Sequence, residues 1–340
     1  MKKALIALSG GVDSAVAAYL TAKAGYDCIG VTMQLLDGCE KNIEDAEKCA
    51  KAIGIPFLSV DYRKEFQKEI MEEFAHSYEN GQTPNPCVLC NKKMKFGMLF
   101  DKAKELGCNF IVTGHYAKIT NDGDDFFLEK SANLKKDQSY FLYSLSRELL
   151  PHIMFPLESY DKSKIREIAA GLGLVSAEKK DSQDICFVQN GEYAEVIEAI
   201  TKKSYPEGDF VDIHGNKLGK HSGLIRYTVG QRKGLGVAFG KPMYVCKKDA
   251  ALNQVVLCED NELYSKRLTA TDFNWLIPQN STEFRSKARI RYRHEEQPCT
   301  VSVESENVYI NFDEPQRAIT PGQSVVLYEG SRIIGGGIIL

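Results

Sequence analysis

The chain has 340 residues, enough for two or three domains that each bury their own core. Hydrophobic residues make up 43% and charged residues 26%, which excludes a disordered chain, and no apolar run nears the ~20 residues of a membrane span. A formal net charge of −3 excludes nucleic-acid binding through overall charge but leaves room for a local basic surface.

Met1-Lys2-Lys3 and the apolar run behind it resemble the start of a signal peptide. The run breaks at Ser9-Gly10-Gly11 and Asp13 with no cleavage site, so the expected location is the cytosol, with no membrane partner. Residues 4–8 read as a strand, and a glycine turn leads into helical spacing over 14–24. A second strand is expected at 28–33, then a helix at 43–53 stopped by Gly54, a third strand at 56–60 and a helix at 64–78. A proline-rich loop precedes a helix over 91–106 and a strand at 109–113. Strands alternating with helices predict an α/β fold, a parallel sheet covered on both faces. Further helices are expected at 162–172 and 193–202. Beyond about residue 203 glycines recur and β-rich alternation replaces helical periodicity, which predicts one or two small antiparallel barrels or sandwiches.

Ser9-Gly10-Gly11-Val12-Asp13-Ser14 follows the first strand and opens a helix. The glycines let backbone approach a ligand, the helix N-terminus offers free amides to phosphates, and Asp13 suits Mg²⁺. The loop lacks both the lysine of the P-loop and the GxGxxG spacing. A plain glycine turn is the bland alternative.

Ten cysteines in a reducing compartment are not a disulfide framework, and most are expected to be buried apolar residues. Cys87 and Cys90 differ. They sit in Thr83-Pro84-Asn85-Pro86-Cys87-Val88-Leu89-Cys90-Asn91-Lys92-Lys93, at the start of a helix beside two lysines, which predicts lowered thiol pKa values. The absence of a second Cys-x-x-Cys argues against structural zinc. Cys186 lies in the polar run Lys179-Lys180-Asp181-Ser182-Gln183-Asp184-Ile185-Cys186-Phe187, an unusual setting for a core cysteine. Lys287, Arg289, Arg291 and Arg293 alternate with apolar residues, which on a strand puts four cations on one face, suited to a phosphate backbone. Arg226, Arg232 and Lys233 extend that set.

Taken together, these passages resemble the bacterial tRNA-specific 2-thiouridylases, within the PP-loop ATP pyrophosphatases, over nearly the whole chain. The likeness includes Gly114-His115-Tyr116, Lys136-Asp137-Gln138-Ser139-Tyr140-Phe141-Leu142, Tyr227-Thr228-Val229-Gly230-Gln231-Arg232-Lys233-Gly234, Arg291-Tyr292-Arg293 and Thr320-Pro321-Gly322-Gln323. It implies a PP-loop catalytic domain over 1–193, a small β-rich central domain over 194–258 and a tRNA-binding β-barrel over 259–340.

The resemblance further implies ATP-dependent 2-thiolation of the wobble uridine in tRNAs for Lys, Glu and Gln, releasing AMP and pyrophosphate. It assigns ATP to Ala7, Leu8, Ser9, Gly10, Gly11, Val12, Asp13, Ser14, Met33 and Gly114. Cys90 becomes the nucleophile and Cys186 the persulfide carrier, with a transient Cys90–Cys186 disulfide. Asn85, Pro86 and Cys87 fall at the target base, and His115, Lys136, Asp137, Gln138, Arg291, Tyr292 and Gln323 on the tRNA. Arg291 and Tyr292 point to opposite faces of a regular strand, so joint contact needs a bulge or a strand end. The sulfur would come from a cysteine desulfurase or a sulfur-relay protein.

Cys87 departs from the family pattern, where many relatives carry an aspartate. It leaves the acid–base residue open and creates a three-cysteine set, Cys87, Cys90 and Cys186, that suits a [4Fe–4S] cluster. A small-molecule PP-loop synthetase or amidating ligase, and a non-catalytic RNA-binding protein, are the rival classes.

Overall fold

The computed structural model describes residues 2–174, 185–188 and 192–340. It divides into two compact units. The first comprises Met1–Glu69, Cys87–Gln183 and Gly330–Ile333; the second comprises Ile70–Pro86, Asp184–Glu329 and Ile334–Leu340.

The first unit is built on β1 (Lys3–Ala7), α1 (Val12–Lys23), β2 (Asp27–Gln34), α2 (Glu40–Ile53), β3 (Phe57–Asp61) and a short α3 (Arg63–Phe66). A π-helical stretch, Gln67–Met71, follows and leads by chain into α4 (Glu72–Glu79) of the second unit. Back in the first unit come α5 (Pro86–Cys90), a π-helical stretch Asn91–Met98, α6 (Leu99–Glu105), β4 (Phe110–Val112), the hairpin β5 (Ala117–Asp122) and β6 (Asp125–Lys130), β7 (Ile153–Met154) and α7 (Lys162–Gly171).

The sheet is parallel, in the order β3-β2-β1-β4-β7. β1 is central, and Ala4, Leu5 and Ile6 are fully buried, as a strand covered on both faces requires. Ala15, Val16, Ala17 and Ala18 of α1 pack into the same core. α2 stops at Gly54, whose left-handed φ of 82° lets its N–H return to the Ala50 carbonyl at 2.9 Å. The chain runs from β1 to β2 on one side and later to β4 on the other. The strand order therefore reverses at β1, and its carboxyl end is the place where open α/β sheets bind ligands.

The second unit holds α8 (Tyr193–Thr201) and a four-stranded sheet of β8 (Gly208–Val211), β9 (Lys217–His221), β10 (Tyr244–Asp249) and β11 (Gln254–Cys258), in the order β10-β11-β8-β9. The remaining strands are β12 (Tyr264–Trp275), β13 (Glu283–Arg289), β14 (Gln297–Glu304), β15 (Asn307–Arg317), β16 (Ser324–Glu329) and β17 (Arg332–Ile339). They follow the order β12-β15-β14-β13-β16-β17, and β12 pairs with β17 to close an antiparallel barrel. Ala270, Ala288, Val301, Ile310, Val325 and Ile339 fill it. Among the described residues no helix is long and apolar enough to cross a membrane.

Candidate active site

The β1–α1 loop occupies the switch point. Gly10 has φ +72°, and a Cβ there would sit 2.7 Å from the Asn42 carbonyl oxygen, so only glycine fits. The Ser9 N–H donates to Ser14 Oγ at 3.1 Å, and Ser14 Oγ donates to the Gly11 carbonyl at 2.9 Å, which fixes the turn into α1. The side chains of Leu8 and Val12 are buried in the core. Their backbone, with that of Ser9, Gly10 and Gly11, is what the loop can offer a phosphate. Ala7 ends β1, and Met33 lies near the carboxyl end of the neighbouring β2, in register with Val60. Gly114 follows β4; a Cβ there would lie 2.9 Å from the Asp13 carbonyl carbon and the Ser14 nitrogen. The ATP residues expected from the sequence thus lie at the carboxyl ends of three adjacent strands.

Asp13 differs from its expected role. Lys162 Nζ donates to both of its oxygens, at 2.8 and 2.7 Å, and the Tyr116 hydroxyl donates to Oδ1 at 2.8 Å. The Lys162 ammonium also lies 5.7 Å from the centre of the Tyr116 ring. As folded, this carboxylate is paired with an ammonium and a hydroxyl. Lys162, at the first turn of α7, escaped the sequence reading. Asp161 caps that helix by accepting from the Lys164 N–H at 2.8 Å, and this cap is the one local signal that fixes where Lys162 starts.

Pro86 begins α5, the position where a missing N–H costs nothing, and places Cys87 and Cys90 three residues apart on one helical face. Cys87 is exposed and Cys90 half-buried. The expected lowering of the thiol pKa values is overturned. Desolvation raises both, opposed by the charge of Lys95. Raised above the ordinary thiol value, Cys90 rests as a protonated thiol. The cation that matters is Lys95 rather than Lys92 or Lys93, since Lys93 is paired with Glu69.

Lys95 Nζ donates to Asn91 Oδ1 at 3.0 Å and lies 3.5 Å from His115 Nε2, while Asn91 Nδ2 donates to the Phe141 carbonyl at 2.9 Å. His115 Nδ1 lies 2.7 Å from Thr113 Oγ1. Burial, with Lys95 adding to it, holds the His115 pKa well below the usual imidazole value, so the ring is neutral. With Lys95 facing Nε2, the proton is assigned to Nδ1 and donated to Thr113. The chain Thr113–His115–Lys95 links the end of β4, beside the glycine loop, to the helix that carries the cysteines.

The residues expected on tRNA divide. Asp137 is corrected: it is 2% exposed and turned inward, accepting from Ser131 N–H at 3.0 Å and Ser139 Oγ at 2.8 Å. Gln138 braces the backbone of Tyr116, accepting from its N–H at 2.9 Å. Lys136 is half-buried in the same loop.

The four-cation strand is also overturned. β13 ends at Arg289, and Arg291, Tyr292 and Arg293 lie in the turn that follows, the strand end that joint contact by Arg291 and Tyr292 required. The face is mixed in sign, because Arg285 pairs with Asp313 at 2.6 Å and Arg289 with Glu296 at 3.2 Å. Arg291 Nη2 donates to the Arg317 carbonyl at 2.7 Å. Arg226 pairs with Glu198 at 2.6 Å, whereas Arg232 and Lys233 are exposed. Gln323 Nε2 donates to the Thr83 carbonyl at 2.7 Å, and the Thr83 N–H donates to the Pro321 carbonyl at 2.8 Å. Asn85 is half-buried on the stretch that continues to Pro86.

Cys186 is exposed, in a turn anchored by Phe187, whose ring meets that of Phe74 edge-on at 5.2 Å. The polar run that precedes it, residues 179–184, lies outside the described residues. Among the described residues no cysteine is in a disulfide, and no three His, Cys, Asp or Glu side chains are grouped to hold a metal ion. Cys87 and Cys90 belong to the first unit and Cys186 to the second.

A parallel sheet with a glycine loop at its switch point, followed by two β modules, defines a PP-loop nucleotide enzyme with appended β domains. Three domain families match the chain in order. The tRNA methyl transferase HUP domain covers residues 2–190, the tRNA methyl transferase PRC-barrel domain 194–259 and the Aminomethyltransferase beta-barrel domain 265–339. The tRNA-specific 2-thiouridylase MnmA of Clostridioides difficile is 46% identical over 353 residues, 99% of this chain and 98% of that protein. The namesake from Acetivibrio thermocellus is 45% identical over 355 residues, 99% of each. Among solved structures, a 4-thiouridine synthetase in complex with RNA and bound ATP covers 59% of this chain and 50% of its own, at 21% identity and a TM-score of 0.39. The chain belongs to the tRNA-specific 2-thiouridylase family.

Proposed function

We propose that this protein uses ATP to activate the 2-oxygen of the wobble uridine of tRNA and replaces it with sulfur passed through Cys186 and Cys90. The observation that carries the reading is the Thr113–His115–Lys95 chain, which ties the nucleotide loop and the two-cysteine helix into one unit. A synthetase acting on a small molecule has no use for that link, and a passive RNA binder has no use for the loop.

The chemistry follows from need. A carbonyl oxygen is a poor leaving group, so uridine O2 attacks the α-phosphorus of ATP, pyrophosphate departs, and the base becomes O-adenylated. Lys162, steadied by Asp13, adds positive charge where that pyrophosphate gathers. A sulfur nucleophile then adds at C2, and AMP leaves. The nucleophile is either the terminal sulfur of a Cys186 persulfide or the hydrosulfide freed when Cys90 attacks the Cys186 Sγ. On the first route Cys90 attacks the Cys186 Sγ of the base–S–S–Cys186 adduct and frees the 2-thio base; either route therefore leaves a Cys90–Cys186 disulfide, which an external dithiol must reduce before the next cycle. The base reaches the site only after leaving the anticodon stack. The division of labour among a catalytic domain over 1–193, a central domain over 194–258 and an RNA-binding barrel over 259–340 belongs to the same proposal, as do the tRNAs for Lys, Glu and Gln and a desulfurase or sulfur-relay donor.

The test is ATP–pyrophosphate exchange with and without unmodified tRNA, followed by nucleoside analysis for 2-thiouridine. Exchange that depends on tRNA and a 2-thiolated position 34 are expected. Exchange supported by a small molecule alone, or tight tRNA binding without exchange, would overturn the proposal.

A further inference from the structure

Lys248 on β10 is 7% exposed, and among the described residues no carboxylate acts on it. Its Nζ donates to the Gln82 carbonyl at 3.1 Å and lies 5.0 Å from the centre of the Tyr78 ring. Tyr78 in turn stacks on Tyr193 at 5.0 Å, so the ring that receives the ammonium is itself fixed. Gly81 reverses the chain just before Gln82 with φ +77°; a Cβ there would come within 3.3 Å of the Lys248 carbonyl oxygen. The next residue, Thr83, is held through both of its backbone groups, by the Pro321 carbonyl and by Gln323 Nε2. A Cβ on Gly322 would lie 2.9 Å from the Thr83 nitrogen, so the barrel loop is pressed against the segment as closely as backbone allows. Residues 82 and 83 are thus gripped from a central-sheet strand and from a barrel loop, immediately before Pro84, Asn85, Pro86 and Cys87.

We infer that Lys248 is a positioning residue for the sulfur-transfer step, acting with Pro321 and Gln323 as a clamp that sets the path of the loop delivering Asn85, Cys87 and Cys90. The inference rests on the proposed function. A buried ammonium facing one carbonyl and one ring is a costly way to anchor a loop, since an apolar side chain would fill the space without desolvating a charge. What the ammonium adds is a directed donor and a cation–π contact that fix where one carbonyl points. The backbone leaving that carbonyl reaches the first cysteine within five residues. Gln323, expected on the RNA by resemblance, here spends its amide on the same segment.

The experiment compares the full-length wild type with Lys248→Met, Gln323→Leu and the double variant. Thiolation of unmodified tRNA is followed at saturating tRNA, together with the KM for ATP, tRNA affinity and melting temperature. Lys248→Met is expected to lower kcat about tenfold, with KM for ATP and tRNA affinity unchanged and a melting temperature at pH 7 no lower than wild type. The double variant should lose less than the product of the single losses, because both contacts restrain one segment. Wild-type kcat in Lys248→Met, strictly multiplicative losses, or kcat, KM and melting temperature all worsening together would overturn the inference. A wild-type enzyme that fails to thiolate tRNA counts against the proposed function instead.

Discussion

Replacing Lys248 by methionine should stabilise the protein, and the gain should shrink as pH rises. Desolvation lowers the Lys248 pKa from 10.5 to about 7. At ~1.4 kcal/mol per unit, that shift of about 3.5 units corresponds to ~5 kcal/mol held against the folded state while the group is charged in both states. Below about pH 7 the cost is fully present. Between about 7 and 10.5 the unfolded chain binds the proton and the folded one does not, so stability climbs with pH; above that range both are neutral and the cost is gone. Methionine keeps the stem's volume and removes the charge, while the Gln82 carbonyl loses a donor at a cost of ~1 kcal/mol. The net gain should therefore approach ~4 kcal/mol near pH 6 and vanish near pH 10. Urea titrations of both proteins at pH 6, 7.5, 9 and 10 measure it, and taking the difference cancels the other titrating groups. A gap between the two proteins that stays constant across this range would refute the reasoning. The result matters for function because a variant that gains stability cannot owe a lost kcat to misfolding.

Asp13→Ala should abolish thiolation yet spare tRNA binding, and Lys162→Met should weaken ATP binding ~10–100-fold, the loss expected for a charge-assisted contact; equilibrium ATP binding and filter-bound tRNA read the two. Lys95→Met should raise the Cys90 pKa further and slow its alkylation by iodoacetamide at pH 7.5, with the rates converging as pH climbs; peptide mapping of alkylated Cys90 checks this, and a faster variant would reverse the assigned charge effect. Cys87→Asp should retain thiolation and the anaerobically purified protein should be colourless, whereas Cys90→Ser and Cys186→Ser should be inactive. Iron and labile sulfide that disappear together with activity in Cys87→Asp would favour the cluster mechanism instead.

The parallel sheet was legible because its signal is local. The apolar run ending at Ala7, the Gly-Gly turn and the stop at Gly54 each fall where the fold needs them, and the switch from helical to β texture beyond residue 203 marks the second half. The hairpin β5–β6 was not foreseen, although Asn121-Asp122-Gly123-Asp124 is a turn sequence, and Gly123 takes φ +63° there. The length of β13 misled for a different reason. Alternation of cations with apolar residues continues through Arg293, but hydrogen bonding to the neighbouring strands ends at Arg289, and the sequence carries no mark of that. The acids that neutralise the face, Asp313 and Glu296, lie on β15 and in the turn before β14, beyond any single-strand pattern.

The site shows the same limit more sharply, since its polar partners come from long range. Lys162 meets Asp13 across 149 residues, and Gln323 meets Thr83 across 240. Lys95 was hidden by geometry as well as distance. Counting from Cys90 with α-helical spacing points to Lys93 and Met94, whereas the stretch from Asn91 to Met98 is π-helical, with bonds that span five residues. That wider turn carries Lys95 to the cysteine side and leaves Lys93 to Glu69. The consequence is chemical. A thiol that desolvation keeps protonated at rest, with one cation near enough to favour its thiolate, is slow to react with adventitious electrophiles. On the proposed function it is the nucleophile, and the loop that leads to it is the one held by Lys248, Pro321 and Gln323. Under the proposed function, a site that discharges a persulfide only against an activated base gains from a nucleophile that is not armed in advance.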